Sequence, residues 1–380
     1  KDYFIFDVKK DSSIPIPNED SANELEEKLS KSEFKIISIN KSKFKSKPRA
    51  PFTTSTLQQA ASSELRMAPR RTMDIAQELF RGIETGNKVL NLITYMRTDS
   101  TFISSEILTS IGSYVKKEYS NNYYSGTRIY SKSSKNSQEA HEAIRPTDIK
   151  NSPEKMKNQL NDQQYKLYKL IWDRTLGSQM KDSIAEKTLL TVEAKDKNND
   201  EYTFEAEYIE SIFDGFKILD QKNVYDKVPN ITMGETLKLE EIHKLKNFTR
   251  PKSRFTEASL IKELETSGIG RPSTYASIMD RIQYHKAVII LRRSLYRTNV
   301  GKAMVNALLP IFGDHFISLE FTSEMEKNLD EIAQGNLKWE KVVCEFYENF
   351  SEKLEKLKKI GENNFSKEAK KEAIDPTHAH

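Results

Sequence analysis

Apolar residues recur along this chain with two different periods, and the changes between them divide it into regions. Near the start, an apolar stretch at residues 4–6, a helical spacing at 22–29 and a β-branched stretch at 34–39 predict strand, helix and strand. A period of two returns across residues 188–239. We expect these later strands to complete one sheet with the first two.

Between and after the β regions the apolar residues follow a helical spacing. Ser104 is suited to cap one further helix, because its hydroxyl can accept a bond from a free backbone N–H ahead of Ile107. The remaining predicted helices span residues 55–65, 69–83, 162–176, 257–266, 272–284, 323–333 and 339–357.

These elements predict a multidomain α+β fold that is mostly α-helical. Residues 1–54 and 182–250 form a discontinuous β-rich domain, into which a helical domain at 55–181 is inserted. A second helical domain spans residues 251–360. Residues 361–380 carry almost no apolar side chains and are predicted to be a disordered tail. The first residue and the polar ending suggest that both ends were cut from a longer protein.

Composition narrows the class of protein. Lys and Arg number 60 against 56 Asp and Glu, which leaves a formal charge of +4, so any surface for nucleic acid must be local. The single cysteine, Cys344, excludes an intramolecular disulfide and a cysteine-based zinc site. No apolar run reaches the roughly 18 residues of a membrane span. We therefore expect a cytoplasmic protein without a membrane partner.

Residues 92–100 predict an apolar strand with an abrupt polar ending. On this strand, Tyr95 and Arg97 point to the same face, because side chains alternate with a period of two. A phenol is a weak nucleophile near neutral pH, and a neighbouring guanidinium can favour the phenolate and grip phosphate oxygens. From spacing alone, a core tyrosine beside a solvated arginine is the more common arrangement.

Two other segments offer groups that can bind phosphate. His141 can hydrogen-bond a phosphate near neutral pH, although a buried structural histidine is the more common case. Residues 268–274 contain two glycines, Arg271, Ser273 and Thr274, which can form a phosphate cradle. An ordinary corner between two helices is the alternative.

Four segments stand out in order along the chain. They read PFTTSTLQQ (51–59), ITYMRTDS (93–100), SQEAHEAIRP (137–146), and RFTEA with GIGRPSTYA (254–258 and 268–276). In this order they resemble the signatures of the type IA DNA topoisomerases, and the segment around Tyr95 is nearly identical to the bacterial topoisomerase I pattern. The resemblance covers most of the chain. It implies the central-domain fold of that family, with the β-rich domain as its arch and hinge and residues 251–360 as part of its helical base.

The resemblance also implies a role for individual residues. Tyr95 attacks a DNA phosphate, leaving a 5′-phosphotyrosine and a free 3′-hydroxyl, while Arg97 positions the phosphate and His141 lies close to the reacting groups. The residues implied to bind DNA are Arg145, Arg271, Ser273, Thr274, His285 and Lys286. The last two stand in a segment where the family usually has an arginine, a glycine and an aromatic residue.

The family's N-terminal Toprim domain, which carries acidic Mg²⁺ ligands, is not recognisable here. No Asp-x-Asp-x-Glu run occurs, so no metal ligand is predicted in this chain, and Mg²⁺ is implied only as a cofactor bound by Toprim. The resemblance thus implies the core of an ATP-independent enzyme that relaxes negative supercoils and is inactive as this chain alone. Its implied partner is single-stranded DNA in the bacterial nucleoid, bound by a monomer. A single-stranded DNA-binding module without catalysis is the alternative.

Overall fold

The computed structural model describes residues 6–8, 16–85, 88–130, 142–220, 228 and 230–360. Its strands are β1 (Asp7–Val8), β2 (Glu33–Ser46), β3 (Ile83–Thr85), β4 (Lys88–Leu90), β5 (Ser183–Lys195), β6 (Glu201–Phe213), β7 (Thr236–Leu237), β8 (Val288–Leu291) and β9 (Ser294–Arg297). Its helices are α1 (Glu19–Leu29), α2 (Thr54–Ala60), α3 (Pro69–Arg81), α4 (Ser105–Tyr119), α5 (Pro153–Met156), α6 (Asp162–Ser178), α7 (Glu257–Thr266), α8 (Tyr275–Tyr284), α9 (Asn299–Phe316), α10 (Leu319–Ala333) and α11 (Trp339–Ile360). The prediction of a mostly helical α+β fold is confirmed.

The strand predicted at residues 92–100 is wrong. Only Ile93 forms a β-bridge there, an isolated one with Pro146. The segment is held instead by side-chain hydroxyl groups that bond to its backbone, described below, so it follows an irregular extended path.

Two predicted helices also have different limits. The helix expected from Pro272 begins at Tyr275, because the hydroxyl of Thr274 accepts a hydrogen bond from the N–H of Arg271 at 2.8 Å and closes a turn first. The helix expected at residues 55–65 is α-helical only as far as α2 and ends in a π-helical turn, Ala61–Leu65.

The chain divides into two compact units. The first contains residues 1–48, 115–125 and 180–251, and is built on a five-stranded antiparallel sheet in the order β1-β6-β5-β2-β7. The three long strands β2, β5 and β6 form most of the pairings in this sheet, and a bulge interrupts β2 between Ile36 and Ser38. Leu29 of α1 packs with Ala194 and Tyr202 in a buried core beside the sheet.

The second unit contains residues 49–114, 126–179 and 252–380. Its main core consists of fully buried apolar side chains from α2, α3, α4, α6 and the segments between them. Residues of this core include Phe52, Leu57, Ile75, Leu79, Leu92, Ile93, Met96, Ile111, Ile144 and Leu167. A second cluster joins α7 to α8 and β9 through Ile261, Leu264, Ile269, Tyr275, Met279 and Leu295.

This division is not the same as the predicted set of domains. Residues 115–125 belong to the β-rich unit, and residues 252–380 group with the two helical segments that precede them. The functional roles assigned to the three predicted domains stay predictions. Across the described residues, no helix has the length and apolar character needed to cross a membrane.

The capping box of α6 gives a stability test. The Asn161 side chain accepts hydrogen bonds from the N–H groups of Gln163 at 3.0 Å and Gln164 at 2.9 Å. Asn161→Ala leaves these donors without their partner, and we expect a loss of about 1 kcal/mol in unfolding free energy. Asn158→Ala, at an exposed position three residues earlier, is the control. Equal urea midpoints for the two variants would contradict the assigned cap.

Candidate active site

Tyr95 and Arg97 project from an otherwise buried segment. Tyr95 is 44% exposed and Arg97 is also exposed, whereas Met96 between them is 1% exposed and Thr98 is 2% exposed. The alternation expected of a strand is therefore present without a ladder of backbone hydrogen bonds. Its effect is that the phenol and the guanidinium both reach solvent, while the residues beside them fix the backbone.

Thr54, at the start of α2, fixes the segment on its C-terminal side. Its hydroxyl donates to the carbonyl oxygen of Met96 at 2.7 Å and accepts from the N–H of Thr98 at 2.8 Å. The Thr54 N–H donates to the carbonyl of Thr98 at 2.8 Å. Thr54 is fully buried, so these bonds have no competition from water.

Thr94 fixes the other side of Tyr95. Its hydroxyl donates to the carbonyl of Ala143 at 2.6 Å and accepts from the N–H of Arg145 at 3.0 Å. The Thr94 N–H donates to the Arg145 carbonyl at 2.9 Å. Tyr95 thus lies between two threonines whose hydroxyls replace the missing strand ladder.

The Tyr95 ring has an aromatic neighbour on α3. The ring centroids of Phe80 and Tyr95 are 5.4 Å apart at an angle of 68°, an edge-to-face contact. Among the described residues, neither the Tyr95 hydroxyl nor the Arg97 guanidinium has a hydrogen-bond or ionic partner. Both polar groups are therefore available to a ligand.

Arg145, predicted to bind DNA, is only 7% exposed. Its guanidinium forms a salt bridge with Glu142 and donates to the carbonyl of Pro146 at 2.8 Å. Glu142 in turn accepts from the N–H of Ser104, just before α4, at 2.9 Å. In this structure Arg145 therefore organises the strand-like segment that holds Thr94, and its contact with DNA stays a prediction.

His141, the third predicted catalytic residue, lies outside the described residues. Its neighbour Glu142 begins the described segment that continues through Ala143 and Ile144 to Arg145. The Ile144 N–H donates to the carbonyl of Phe52 at 2.8 Å, and the N–H of Ala143 donates to the carbonyl of Phe102 at 2.8 Å. This segment is anchored to both sides of the site, and the role of His141 stays a prediction.

The glycine loop, residues 268–274, lies between α7 and α8. Gly270 has a φ of +80°, and a Cβ there would lie 3.1 Å from Ile278 Cδ1 and 3.2 Å from a ring carbon of Tyr275. Only glycine adopts this positive φ and leaves room for these neighbours without strain. Ser273 is exposed, whereas Thr274 is half-buried and its hydroxyl is engaged by the backbone of Arg271.

Arg271 does not point freely to solvent as a phosphate ligand would. Its guanidinium lies 3.3 Å from a carboxylate oxygen of Glu326 and 2.7 Å from one of Asp330, both on α10. Burial alone would lower the pKa of Arg271, but the hydrogen bond to Asp330 and the two negative charges outweigh it and raise that pKa. The prediction that Arg271 binds DNA is neither confirmed nor excluded by these contacts.

His285 and Lys286, the remaining predicted DNA contacts, are both exposed at the end of α8. Tyr284 beside them is 82% exposed, and its ring centroid lies 5.3 Å from that of His285. Bases of single-stranded nucleic acid stack on aromatic rings next to positive charge. The exposed end of α8 therefore has the composition of a surface that takes unpaired bases.

No sequence motif predicted the acidic residues near this loop. Ser55 of α2 hydrogen-bonds to the carboxylate of Glu265 on α7, and the Gln59 amide donates to the same carboxylate at 3.4 Å. Burial and then the charge of Glu265 raise the pKa of Tyr275 to about 12, with smaller effects that include Asp99. The motifs contained Thr54 and Ser55, but nothing in their spacing identified the partners.

The described residues do not fit the implied Mg²⁺ site. No group of three or more His, Cys, Asp or Glu side chains in the described ranges is placed to hold a metal ion. The acids at residues 326 and 330 are paired with Arg271 instead. No step of the chemistry below is therefore assigned to a metal.

Comparisons with known proteins agree with this geometry. The sequence profile of the DNA topoisomerase family matches residues 1–344. DNA topoisomerase 1 of Rickettsia felis is 38% identical over 357 residues, which is 92% of this chain and 46% of that protein. DNA topoisomerase 1 of Haemophilus influenzae is 39% identical over 343 residues, covering 89% of this chain and 38% of that protein.

A solved structure shows the same fold. Full-length topoisomerase I from Thermotoga maritima superposes with a TM-score of 0.78 at 36% identity, over 91% of this chain and 56% of that one. The chain belongs to the bacterial type IA DNA topoisomerase family. It spans about half the length of the curated relatives it matches.

The Thr54 hydroxyl gives a test of how this site is held. Thr54→Val keeps the shape but leaves the Met96 carbonyl and the Thr98 N–H without a partner, and we expect a loss of about 1–3 kcal/mol in unfolding free energy. Amide hydrogen exchange across residues 94–100 should accelerate, because the backbone is released. Thr54→Ser keeps the hydroxyl and is the control. Unchanged exchange in Thr54→Val would show that Thr54 does not hold the segment.

Proposed function

We propose that this chain carries the DNA-cleaving tyrosine of a type IA DNA topoisomerase, and that Tyr95 is the nucleophile. The observation that supports this most strongly is the exposed pair of Tyr95 and Arg97, whose polar groups have no partner among the described residues. The buried Thr54 and the half-buried Thr94 hold the backbone on either side. A nucleophile held in this way reaches a substrate without loss of its orientation.

The reaction follows from these groups. The Tyr95 hydroxyl oxygen attacks a backbone phosphorus, a phosphate–tyrosine ester forms, and the bond from phosphorus to the 3′ oxygen breaks. The phenol loses its proton and the leaving 3′ oxygen gains one, which gives a 5′-phosphotyrosine and a free 3′-hydroxyl. Arg97 neutralises the charge that accumulates on the phosphate. The reverse attack rejoins the strand, so no ATP is required.

The substrate we propose is single-stranded DNA within negatively supercoiled duplex. The exposed Ser273, Tyr284, His285 and Lys286 offer hydroxyl, aromatic and positive groups to such a strand. In this proposal residues 1–54 and 182–250 serve as the arch and hinge, 55–181 carry the tyrosine, and 251–360 bind the strand. A monomer acting on DNA in the bacterial cytoplasm fits these roles.

Catalysis by the chain alone is not part of this proposal. The Mg²⁺ on which the family relies would be held by a Toprim domain supplied by a full-length protein, since the described residues do not provide its ligands. With that domain present, we propose cleavage, strand passage and rejoining that relax negative supercoils. Binding of single-stranded DNA without adduct formation, even with Toprim supplied, would favour the non-catalytic module.

Replacement of Tyr95 tests the nucleophile. In a full-length enzyme reconstituted with the Toprim domain of a relative, we expect Tyr95→Phe to abolish the covalent DNA adduct that survives denaturation. Affinity for a labelled single strand should stay within about twofold, because phosphate contacts elsewhere dominate binding. Tyr347→Phe, which removes a hydroxyl from another exposed tyrosine, is the control. An adduct formed by Tyr95→Phe would assign the nucleophile to another residue.

Replacement of Arg97 tests the phosphate contact. Arg97→Lys keeps the charge but loses the planar pair of donors. We expect a cleavage rate lower by on the order of 10²–10³ at saturating DNA, with little change in affinity. Arg81→Lys at the end of α3 is the control. Equal single-turnover rates for Arg97→Lys and the unmodified enzyme would exclude a bidentate role.

A further inference from the structure

The donors of the glycine loop are already occupied by carboxylates of the same chain. The Gly270 N–H donates to Oε1 of Glu326 at 3.1 Å, and Nη1 of Arg271 lies 3.3 Å from the other oxygen, Oε2. Nη2 of Arg271 lies 2.7 Å from Oδ2 of Asp330. One carboxylate thus bridges a backbone N–H and a guanidinium, the pair of groups that commonly binds phosphate oxygens.

The local charge opposes a second anion. One positive guanidinium faces the two negative carboxylates of Glu326 and Asp330, so the group carries a net charge of about −1. Asp99 and Glu265 add negative charge around the neighbouring Tyr275 ring. A DNA phosphate can therefore bind Arg271 only if one of the two paired carboxylates moves away.

Glu326 is the carboxylate better placed to leave. Its two contacts, at 3.1 Å and 3.3 Å, are longer than the 2.7 Å bond between Asp330 and Arg271. The Glu326 side chain is 25% exposed and the Arg271 side chain 36%, so solvent reaches both groups. The Glu326 side chain also covers the Gly270 N–H, while Asp330 binds the other terminal nitrogen of the guanidinium, Nη2.

The donor side of this contact is rigid. The positive φ of Gly270 and the close approach of Ile278 and Tyr275 fix the direction of the Gly270 N–H. The guanidinium of Arg271 is fixed further by a hydrogen bond from Nη1 to the carbonyl of Gly270 at 2.8 Å. The loop is thus prepared to bind an anion. A phosphate can replace the Glu326 carboxylate without a change in the backbone of the loop.

We propose that the Glu326 carboxylate is an internal competitor for the phosphate of single-stranded DNA at the glycine loop. Binding of the strand displaces Glu326 into solvent, and departure of the strand lets it return. This inference rests on the proposed function, because it takes the strand to bind at Gly270 and Arg271. The competition weakens each binding event and speeds release of the strand after it is rejoined.

Neutralisation of Glu326 tests the competition. We expect Glu326→Gln to bind a labelled single-stranded oligonucleotide about three- to tenfold more tightly than the unmodified chain at moderate salt, as measured by fluorescence anisotropy. The matched control is Glu324→Gln, which removes the same charge from an exposed position on the same helix. It should change the affinity by less than about twofold.

A second change separates competition at the loop from a general loss of charge. In Glu326→Gln, the further change Arg271→Gln should remove the gain in affinity, because the phosphate then has no guanidinium to bind. Thermal unfolding of each variant confirms that the fold is kept. A double variant that retains the gain would overturn the proposal.

The outcomes also separate this inference from the proposed function. If the unmodified chain binds the strand and Glu326→Gln binds it equally or more weakly, Glu326 is a structural partner of the loop and the competition is excluded. An equal gain in Glu324→Gln would attribute the effect to net charge and exclude it as well. If neither the unmodified chain nor Glu326→Gln binds single-stranded DNA at low salt, the proposed function fails together with the inference.

Discussion

The buried hydroxyl of Thr54 sets the position of the whole candidate site. It bonds to the backbone on the C-terminal side of Tyr95 through Met96 and Thr98, where a strand ladder would otherwise be needed. Because these partners are backbone atoms, the contact fixes the path of the chain while leaving the exposed side chains free. Thr94 fixes the backbone on the other side of Tyr95 in the same way. These two threonines therefore determine where the side chains of Tyr95 and Arg97 reach solvent.

The same helix that supplies Thr54 also forms hydrogen bonds with α7. One turn of α2 carries Thr54 toward the tyrosine segment and Ser55 toward Glu265 of α7. The glycine loop follows α7 directly, so the two halves of the candidate site share α2 as a common support. The hydrogen bonds from Ser55 and Gln59 to Glu265 connect α2 to α7, and water can replace such polar contacts.

Sequence patterns predicted most of the helices and long strands, because the spacing of apolar residues is visible in the sequence without any tertiary contact. From spacing alone a core tyrosine beside a solvated arginine was the more common arrangement, whereas in the structure both Tyr95 and Arg97 are exposed. Sequence patterns failed where the structure of a segment depends on partners that lie far away in the sequence. Residues 92–100 had the composition of a strand but no neighbouring strand, and the acids that pair with Arg271 lie more than fifty positions later, on a helix without a motif.

Helix α3 makes one contact near each of its ends. Near its N-terminus Arg70 forms an ion pair with Asp280 of α8 at 3.3 Å, and near its C-terminus Phe80 touches the Tyr95 ring. Thirteen residues of α-helix span about 20 Å and resist bending. Helix α3 therefore contacts α8 near one end and the Tyr95 ring near the other, so the tyrosine and the end of the glycine loop are supported by the same rigid element.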